Sequence, residues 1–284
     1  MIIGYRVTSY GFLAAFTGFH PLIIAQQGES DAWPYDSKLL FIKKKMASYA
    51  FKKADLIHAW SEHMTNSMIA LGAPKEKCFI LPRGINTKIF VHNNIKEKEN
   101  KILTIISTRS LEVEYQHLLS LKVMLELKKN NIPFIYKIFG SGSLKNDLSL
   151  FINNNGLSDS IFLYGKTEND KLVNELNIAD IYLSLPVTEG LSASLMEAMV
   201  CGCFPIVTDL PGNRELIRSQ SRGFLIKNFS PIEIANKIIH YWNNKDNYFD
   251  DITNNIELIN NDYSINKNIH EFVERYNSII DNNY

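Results

Sequence analysis

The sequence is short of several things, and each shortage excludes a class of function. It has no surplus of charge: Lys and Arg together number 30, and so do Asp and Glu. A surface devoted to a polyanion needs an excess of cations, so nucleic-acid binding is excluded as the main activity, although a local basic patch is not. Cysteine is scarce. Cys78, Cys201 and Cys203 are too few and too unevenly placed for a disulfide framework, and a reducing, cytoplasmic setting is the simpler expectation. Cys201-x-Cys203 has no second pair at metal-ligand spacing. The seven histidines form no H-x-x-x-H pattern, and no Asp-x-Asp occurs, so neither a metal site nor a cofactor is expected. No apolar run reaches the ~20 residues needed to span a bilayer. The apolar opening Met1–Tyr5 is interrupted by Arg6 and Ser9, well short of a secretory core.

What is present is ordinary globular material. The 284 residues are 45% hydrophobic and 21% charged, enough for one large or two modest domains. Short β-branched runs alternate with helical stretches, which predicts βα units and parallel sheets. Strands are expected at 102–107, 135–139, 161–164, 181–185, 204–208 and 223–226. Helices are expected at 115–129, 144–152, 171–177, 194–201, 212–217 and 232–242. Together they make a complete doubly wound unit. Upstream the same rhythm gives strands near 1–4, 22–25, 56–59 and 78–81, with helices near 10–16, 38–53 and 62–71. The expected organisation is an incomplete first domain over 1–88, a linker over 89–100, a second domain over 101–262 and a helical extension over 263–284. Asp246–Asp262 reads as a polar stretch, and a last helix is expected near 266–280.

The run from Glu189 to Met199, Glu-Gly-Leu-Ser-Ala-Ser-Leu-Met-Glu-Ala-Met, carries the most chemistry. It follows a strand that ends at Pro186, so its loop opens at the carboxyl edge of the sheet, where open α/β sheets hold ligands. Gly190 lets backbone approach a ligand closely, and Ser192 or Ser194 suits a helix N-cap. The helix start offers free N–H groups and a positive dipole end, suited to a diphosphate. Glu197 falls about one turn in, aimed back towards that end, where a carboxylate can accept from neighbouring hydroxyls such as a ribose diol.

Glu189 and Glu197, with seven residues between them, resemble the E-x7-E region of the retaining GT-B glycosyltransferases called family 4. Gly202-Cys203-Phe204-Pro205-Ile206, Pro211-Gly212-Asn213-Arg214-Glu215 and Gly223-Phe224-Leu225-Ile226 continue the resemblance. Thr108-Arg109-Ser110-Leu111 resembles the Gly-Arg-Leu whose Arg neutralises the donor diphosphate. The Lys usually found a few residues on is absent from Glu112-Val113-Glu114-Tyr115-Gln116, and Tyr115 is the residue that can stand in. Phe139-Gly140-Ser141-Gly142 resembles the Gly-x-Gly of the donor domain, and Gly165-Lys166-Thr167 the loop lining the nucleotide base. Gln27-Gly28-Glu29-Ser30-Asp31 resembles a His-Gly-x-Asp turn of the acceptor domain with Gln27 replacing His. Ala54-Asp55-Leu56-Ile57 and Pro82-Arg83-Gly84-Ile85-Asn86 resemble the segments that close that domain.

The resemblance implies an α/β chain of GT-B type, with two facing Rossmann-like domains of which the first is incomplete. It implies transfer of a sugar from a UDP- or GDP-hexose to a glycan or lipid-linked acceptor, with retention, in cell-surface polysaccharide synthesis. Glu189 would be the catalytic carboxylate that orients the donor sugar. Arg109, Tyr115, Gly140, Lys166, Thr167, Gly190, Leu191, Ser192 and Glu197 would bind the donor, and Gln27 and Asp31 would lie on the acceptor side. A non-catalytic nucleotide-sugar-binding subunit or an inactive remnant, needing a partner chain or a second copy at the first sheet's edge, is the alternative. The lysine-rich helix at 38–53 leaves two readings open, a solvated face or weak contact with anionic lipid on the inner face of a membrane. For each histidine, packing or surface roles are expected.

Overall fold

Thirty or so residues per βα repeat is what the sequence rhythm asks for, and the chain delivers two parallel sheets. The computed structural model describes residues 1–26, 40–93, 102–219 and 221–281. In chain order the first part comprises β1 (Ile2–Tyr5), a π-helical turn over Arg6–Gly11, α1 (Phe12–Phe16), β2 (Leu22–Ala25), α2 (Leu40–Lys53), β3 (Leu56–Ala59), α3 (Glu62–Ala70) and β4 (Cys78–Ile80). The second part runs β5 (Leu103–Ser107), a 3₁₀ turn over Val113–Tyr115, α4 (His117–Lys129), β6 (Phe134–Phe139), α5 (Lys145–Asn154), β7 (Ile161–Gly165), α6 (Asn169–Ile178) and β8 (Ile181–Ser184). It continues with α7 (Ala193–Val200), β9 (Phe204–Thr208), α8 (Pro211–Leu216), β10 (Phe224–Ile226), α9 (Pro231–Asn243), α10 (Phe249–Asp262) and α11 (Ile265–Asp281).

Two compact units emerge: one of Met1–Gly84, Glu189–Leu191 and Ile265–Tyr284, the other of Ile85–Thr188 and Ser192–Ser264. In the first, four parallel strands lie in the order β1-β2-β3-β4. Every residue of β2 is buried, as expected where both faces of a parallel sheet are covered. Ile24 and Ile57 pack with Ala47, Phe51, Met64 and Met68 from the helices on one side. Ile23, Phe79 and Leu81 pack against Tyr276 and Phe272 of α11 on the other. Ser61 caps α3, its Oγ accepting from the Met64 amide at 3.2 Å. His58 lies buried in this packing, stacked on Phe79 at 4.6 Å and donating from Nε2 to the Leu81 carbonyl at 2.7 Å.

The second unit holds six parallel strands in the order β10-β9-β8-β5-β6-β7. The order reverses between β5 and β8, the topological feature at which doubly wound sheets open a crevice. Leu103, Ile105, Tyr136, Ile138, Ile181, Leu183, Phe204 and Ile206 form the buried centre of this sheet. The segment before it is partly anchored here: Phe90 is buried, and the Asn93 amide donates to Asn177 Oδ1 at 2.9 Å.

Three expectations need correcting. Asp246–Asp262 is not simply a polar stretch, because most of it forms α10. Ile252, Asn255, Ile256 and Ile259 recur at helical spacing and form its inner stripe, with Leu258 and Ile259 buried. Asn and Asp dominate the composition there and hide that period. The helix expected near 10–16 begins instead as the π-helical turn, with Arg6 at φ 64°. The helix expected from residue 115 starts at His117, after Gln116 in the left-handed region at φ 50°.

Candidate functional site

The carboxyl ends of β5 and β8, Ser107 and Ser184, lie side by side where the strand order reverses. The loop after β5 carries Arg109, and the loop after β8 carries Glu189 to Leu191 and then enters α7. Ser192 is the N-cap of α7, its Oγ accepting from the Leu195 amide at 3.4 Å. Arg109 reaches across to this helix start. Its Nη1 donates to Ser194 Oγ at 2.5 Å and to Ser192 Oγ at 3.2 Å. Tyr182, on β8, donates from its hydroxyl to the same Ser194 Oγ at 3.0 Å. The face of the guanidinium lies 4.4 Å from the centre of the Tyr115 ring, within the range of a cation–π contact.

Electrostatically the arrangement is lopsided. A helix N-terminus carries roughly half a positive elementary charge, and a full guanidinium charge is held against it. Such a concentration suits an anion, and a diphosphate matches both the charge and the free N–H groups. Glu197, on the second turn of α7, adds the complementary feature. Burial pushes its carboxyl up to about 7, with the nearby Arg109 charge pulling the other way. Its ionisation is thereby held near neutrality, a mark of ligand-binding sites.

Other residues expected to contribute are positioned as follows. Gly140 follows β6 with φ +154°, and a Cβ there would sit 2.1 Å from the Arg109 carbonyl oxygen. Only glycine lets the turn pass so close, and this turn is what the Arg109 backbone rests on. The Gly140 amide donates to the Gly165 carbonyl at 2.9 Å, which links the turn to the start of the Lys166–Thr167 loop after β7. Lys166 is exposed and Thr167 half-buried. Glu189 and Gly190 are half-buried, and with Leu191 they group with the first unit. Gln27 and Asp31 lie outside the described residues.

The segment that lacks the expected Lys is occupied differently. Glu112 turns towards the glycine turn and accepts from the Ser143 amide at 3.0 Å and from its hydroxyl at 2.5 Å. Both bonds hold its carboxyl below the ordinary range. The Glu114 carbonyl accepts from the Val187 amide at 2.9 Å, and Gln116 Nε2 donates to the Leu185 carbonyl at 3.0 Å. So the stretch ties the loops after β5 and β8 together while placing Tyr115 on Arg109. Two contributors carry no sequence signal of their own. Tyr182 reads only as a strand residue. His117 is buried, with Nε2 donating to the Ser110 carbonyl at 2.9 Å, and burial lowers its pKa.

Beyond β8 the carboxyl edge opens into a cleft of about 520 Å³ lined by Val187, Asp209, Leu210, Arg214, Lys227 and Phe229 among others. Among the described residues, no three His, Cys, Asp or Glu side chains gather as a metal site.

The chain as a whole is similar to known proteins. The putative colanic acid biosynthesis glycosyltransferase WcaL of Salmonella typhimurium is 26% identical over 182 residues, which are 62% of this chain and 45% of that protein. The Campylobacter jejuni N-acetylgalactosamine-N,N'-diacetylbacillosaminyl-diphospho-undecaprenol 4-alpha-N-acetylgalactosaminyltransferase is 26% identical over 188 residues, 66% of this chain and 50% of that protein. The chain therefore spans about half the length of the curated relatives it matches. Among solved structures, HepE of Anabaena in complex with UDP superposes with a TM-score of 0.83 at 15% identity, over 97% of this chain and 78% of that one. That likeness assigns the fold to the α/β GT-B type. Residues 85–258, which hold Arg109, Gly140, Ser192 and Glu197, match the family described as glycosyl transferases group 1, and the chain belongs to that family.

Proposed function

We propose that this chain binds a nucleoside diphosphate sugar at the β5–β8 switch point and transfers the sugar, with retention, to a glycan or lipid-linked acceptor. The observation that carries the reading is Arg109 held against the N-terminus of α7 by Ser192, Ser194 and Tyr115. Arg109 and the free amides of α7 take the diphosphate, an electrostatic task that grows as the leaving group gains charge. Glu197 accepts from the ribose hydroxyls. Glu189 orients the donor sugar, while Gly190, Leu191 and Ser192 offer backbone to it. The Lys166–Thr167 loop borders the base, with Gly140 holding the loop that presents Arg109. The donor unit is residues 101–262, the acceptor side lies in residues 1–88, and Gln27 and Asp31 belong to that side.

No protein nucleophile is assigned. The acceptor hydroxyl adds to the anomeric carbon from the face that the diphosphate leaves, and its proton passes to the departing phosphate oxygen. The printed descriptions of relatives support the reading. They include a putative colanic acid biosynthesis glycosyltransferase, a poly(ribitol-phosphate) alpha-N-acetylglucosaminyltransferase of Staphylococcus aureus and HepE with UDP and glucose. These descriptions support a role in cell-surface polymer synthesis, which we place at the cytoplasmic side of the membrane. Anomeric NMR of the sugar transferred from α-linked UDP- and GDP-hexoses tests the stereochemistry. An α product is expected, and an initial β product would refute retention.

A further inference from the structure

Side chains on β8 alternate between the two faces of its sheet. Ile181 and Leu183 belong to the apolar centre of the second unit, so Tyr182 points to the opposite face. There it is fully buried, with Ile106 of β5 and Pro205 of β9 as its register partners. Phenylalanine fills such a place more easily, because a buried hydroxyl must find a partner to offset its lost hydration. The Tyr182 hydroxyl gives its proton to Ser194 Oγ at 3.0 Å.

The hydroxyl of Ser194 is likewise not explained by its helix. Ser192 already caps α7, and the second residue of a helix needs no cap of its own. Ser194 Oγ has two lone pairs, and both are filled. Tyr182 donates to one, and Arg109 Nη1 donates to the other at 2.5 Å. Through this one oxygen Arg109 is tied to the middle of the sheet. The plane of its guanidinium is set at the same time by the Tyr115 ring at 4.4 Å and by the Nη1 bond to Ser192 Oγ at 3.2 Å. A planar fork held in one orientation presents its N–H groups in one direction.

We infer that Tyr182 is a positioning residue for Arg109, acting through Ser194 to set the guanidinium for the donor diphosphate. The inference rests on the donor reading given above and adds to it a buried strand residue that acts without touching the donor. While Tyr182 donates to it, the Ser194 hydroxyl is fixed as an acceptor for Arg109. With phenylalanine in place, one lone pair of Ser194 Oγ is idle and the hydroxyl is free to rotate. The guanidinium then samples more orientations, and the diphosphate has to order it on binding.

The test is calorimetry of the full chain with UDP, GDP and ADP, with the matching nucleosides followed by ligand-observed NMR. Tyr182→Phe removes one oxygen and keeps the ring, and thermal unfolding verifies that the variant is folded. It is expected to bind the preferred nucleoside diphosphate about five- to tenfold more weakly, the worth of roughly one hydrogen bond, with nucleoside affinity unchanged. Ser194→Ala should lose at least as much, and Ser194→Thr, which keeps the hydroxyl, should bind like the parent. In an Arg109→Ala background Tyr182→Phe should have no further effect, because no guanidinium is left to aim. An equal loss in that background, an equal loss for the nucleoside, or undiminished diphosphate binding by folded Tyr182→Phe protein would overturn the inference. A parent chain that binds none of the three diphosphates would instead overturn the donor reading, and the inference with it.

Discussion

Glu197 combines burial, a positive neighbour and a place one turn inside a ligand-facing helix. With its carboxyl raised to about 7 from an ordinary 4.5, the folded chain holds the proton more tightly than the unfolded one. The stability this contributes is complete below about pH 4.5 and is lost as pH rises through 7. Glu197→Gln removes the titration. The variant should match the parent at pH 4.5 and exceed it at pH 8 by about 1–2 kcal/mol, less than the full linkage because the side chain keeps some exposure. Thermal unfolding at the two pH values measures this, and parallel curves for parent and variant would contradict the assignment. The same substitution should weaken donor binding, because a neutral amide accepts hydrogen bonds less strongly than a carboxylate. Stabilised yet poorer at binding is the pattern expected of a group kept for its function.

At the scale of elements, the turn after β6 and the start of α7 together decide where Arg109 points. Gly140→Ala would place a methyl 2.1 Å from the Arg109 carbonyl oxygen, at a φ that L residues rarely adopt. A loss on the order of 2–4 kcal/mol is expected, with donor affinity falling further as the Arg109 loop is displaced. Unfolding and binding measured on one preparation separate the two effects, and an unperturbed variant would show that the turn does not support the site.

Elements of this kind were largely legible in the sequence. Period and β-branched runs locate all ten strands among the described residues to within about two residues, because buried parallel strands have few alternatives. Ser192 as the cap of α7 follows from residue type alone. The junction of Arg109 with Ser194 does not, since the two are 85 residues apart in sequence and meet only because β5 and β8 are neighbours. The substitution of the expected Lys by a segment that ties two loops and stacks Tyr115 on Arg109 was only half visible, as a departure from a resemblance. α10 was missed because its polar composition outweighed a sparse helical stripe.

For the molecule as a whole, the proposed reading has the donor diphosphate balanced by protein groups of the second unit, Arg109 and the start of α7. Donor binding should therefore persist in excess EDTA. Loss restored by Mg²⁺ or Mn²⁺ would assign the diphosphate to a metal instead. The central claim is tested most directly by calorimetry of the chain with UDP-, GDP- and ADP-sugars, repeated with Arg109→Ala and Glu197→Ala. One nucleotide class should bind, and each substitution should weaken it by about 1.5–3 kcal/mol for each charge-assisted bond lost, roughly ten- to a hundredfold. Binding that is undiminished in both variants would show that the switch point between β5 and β8 is not where the donor sits.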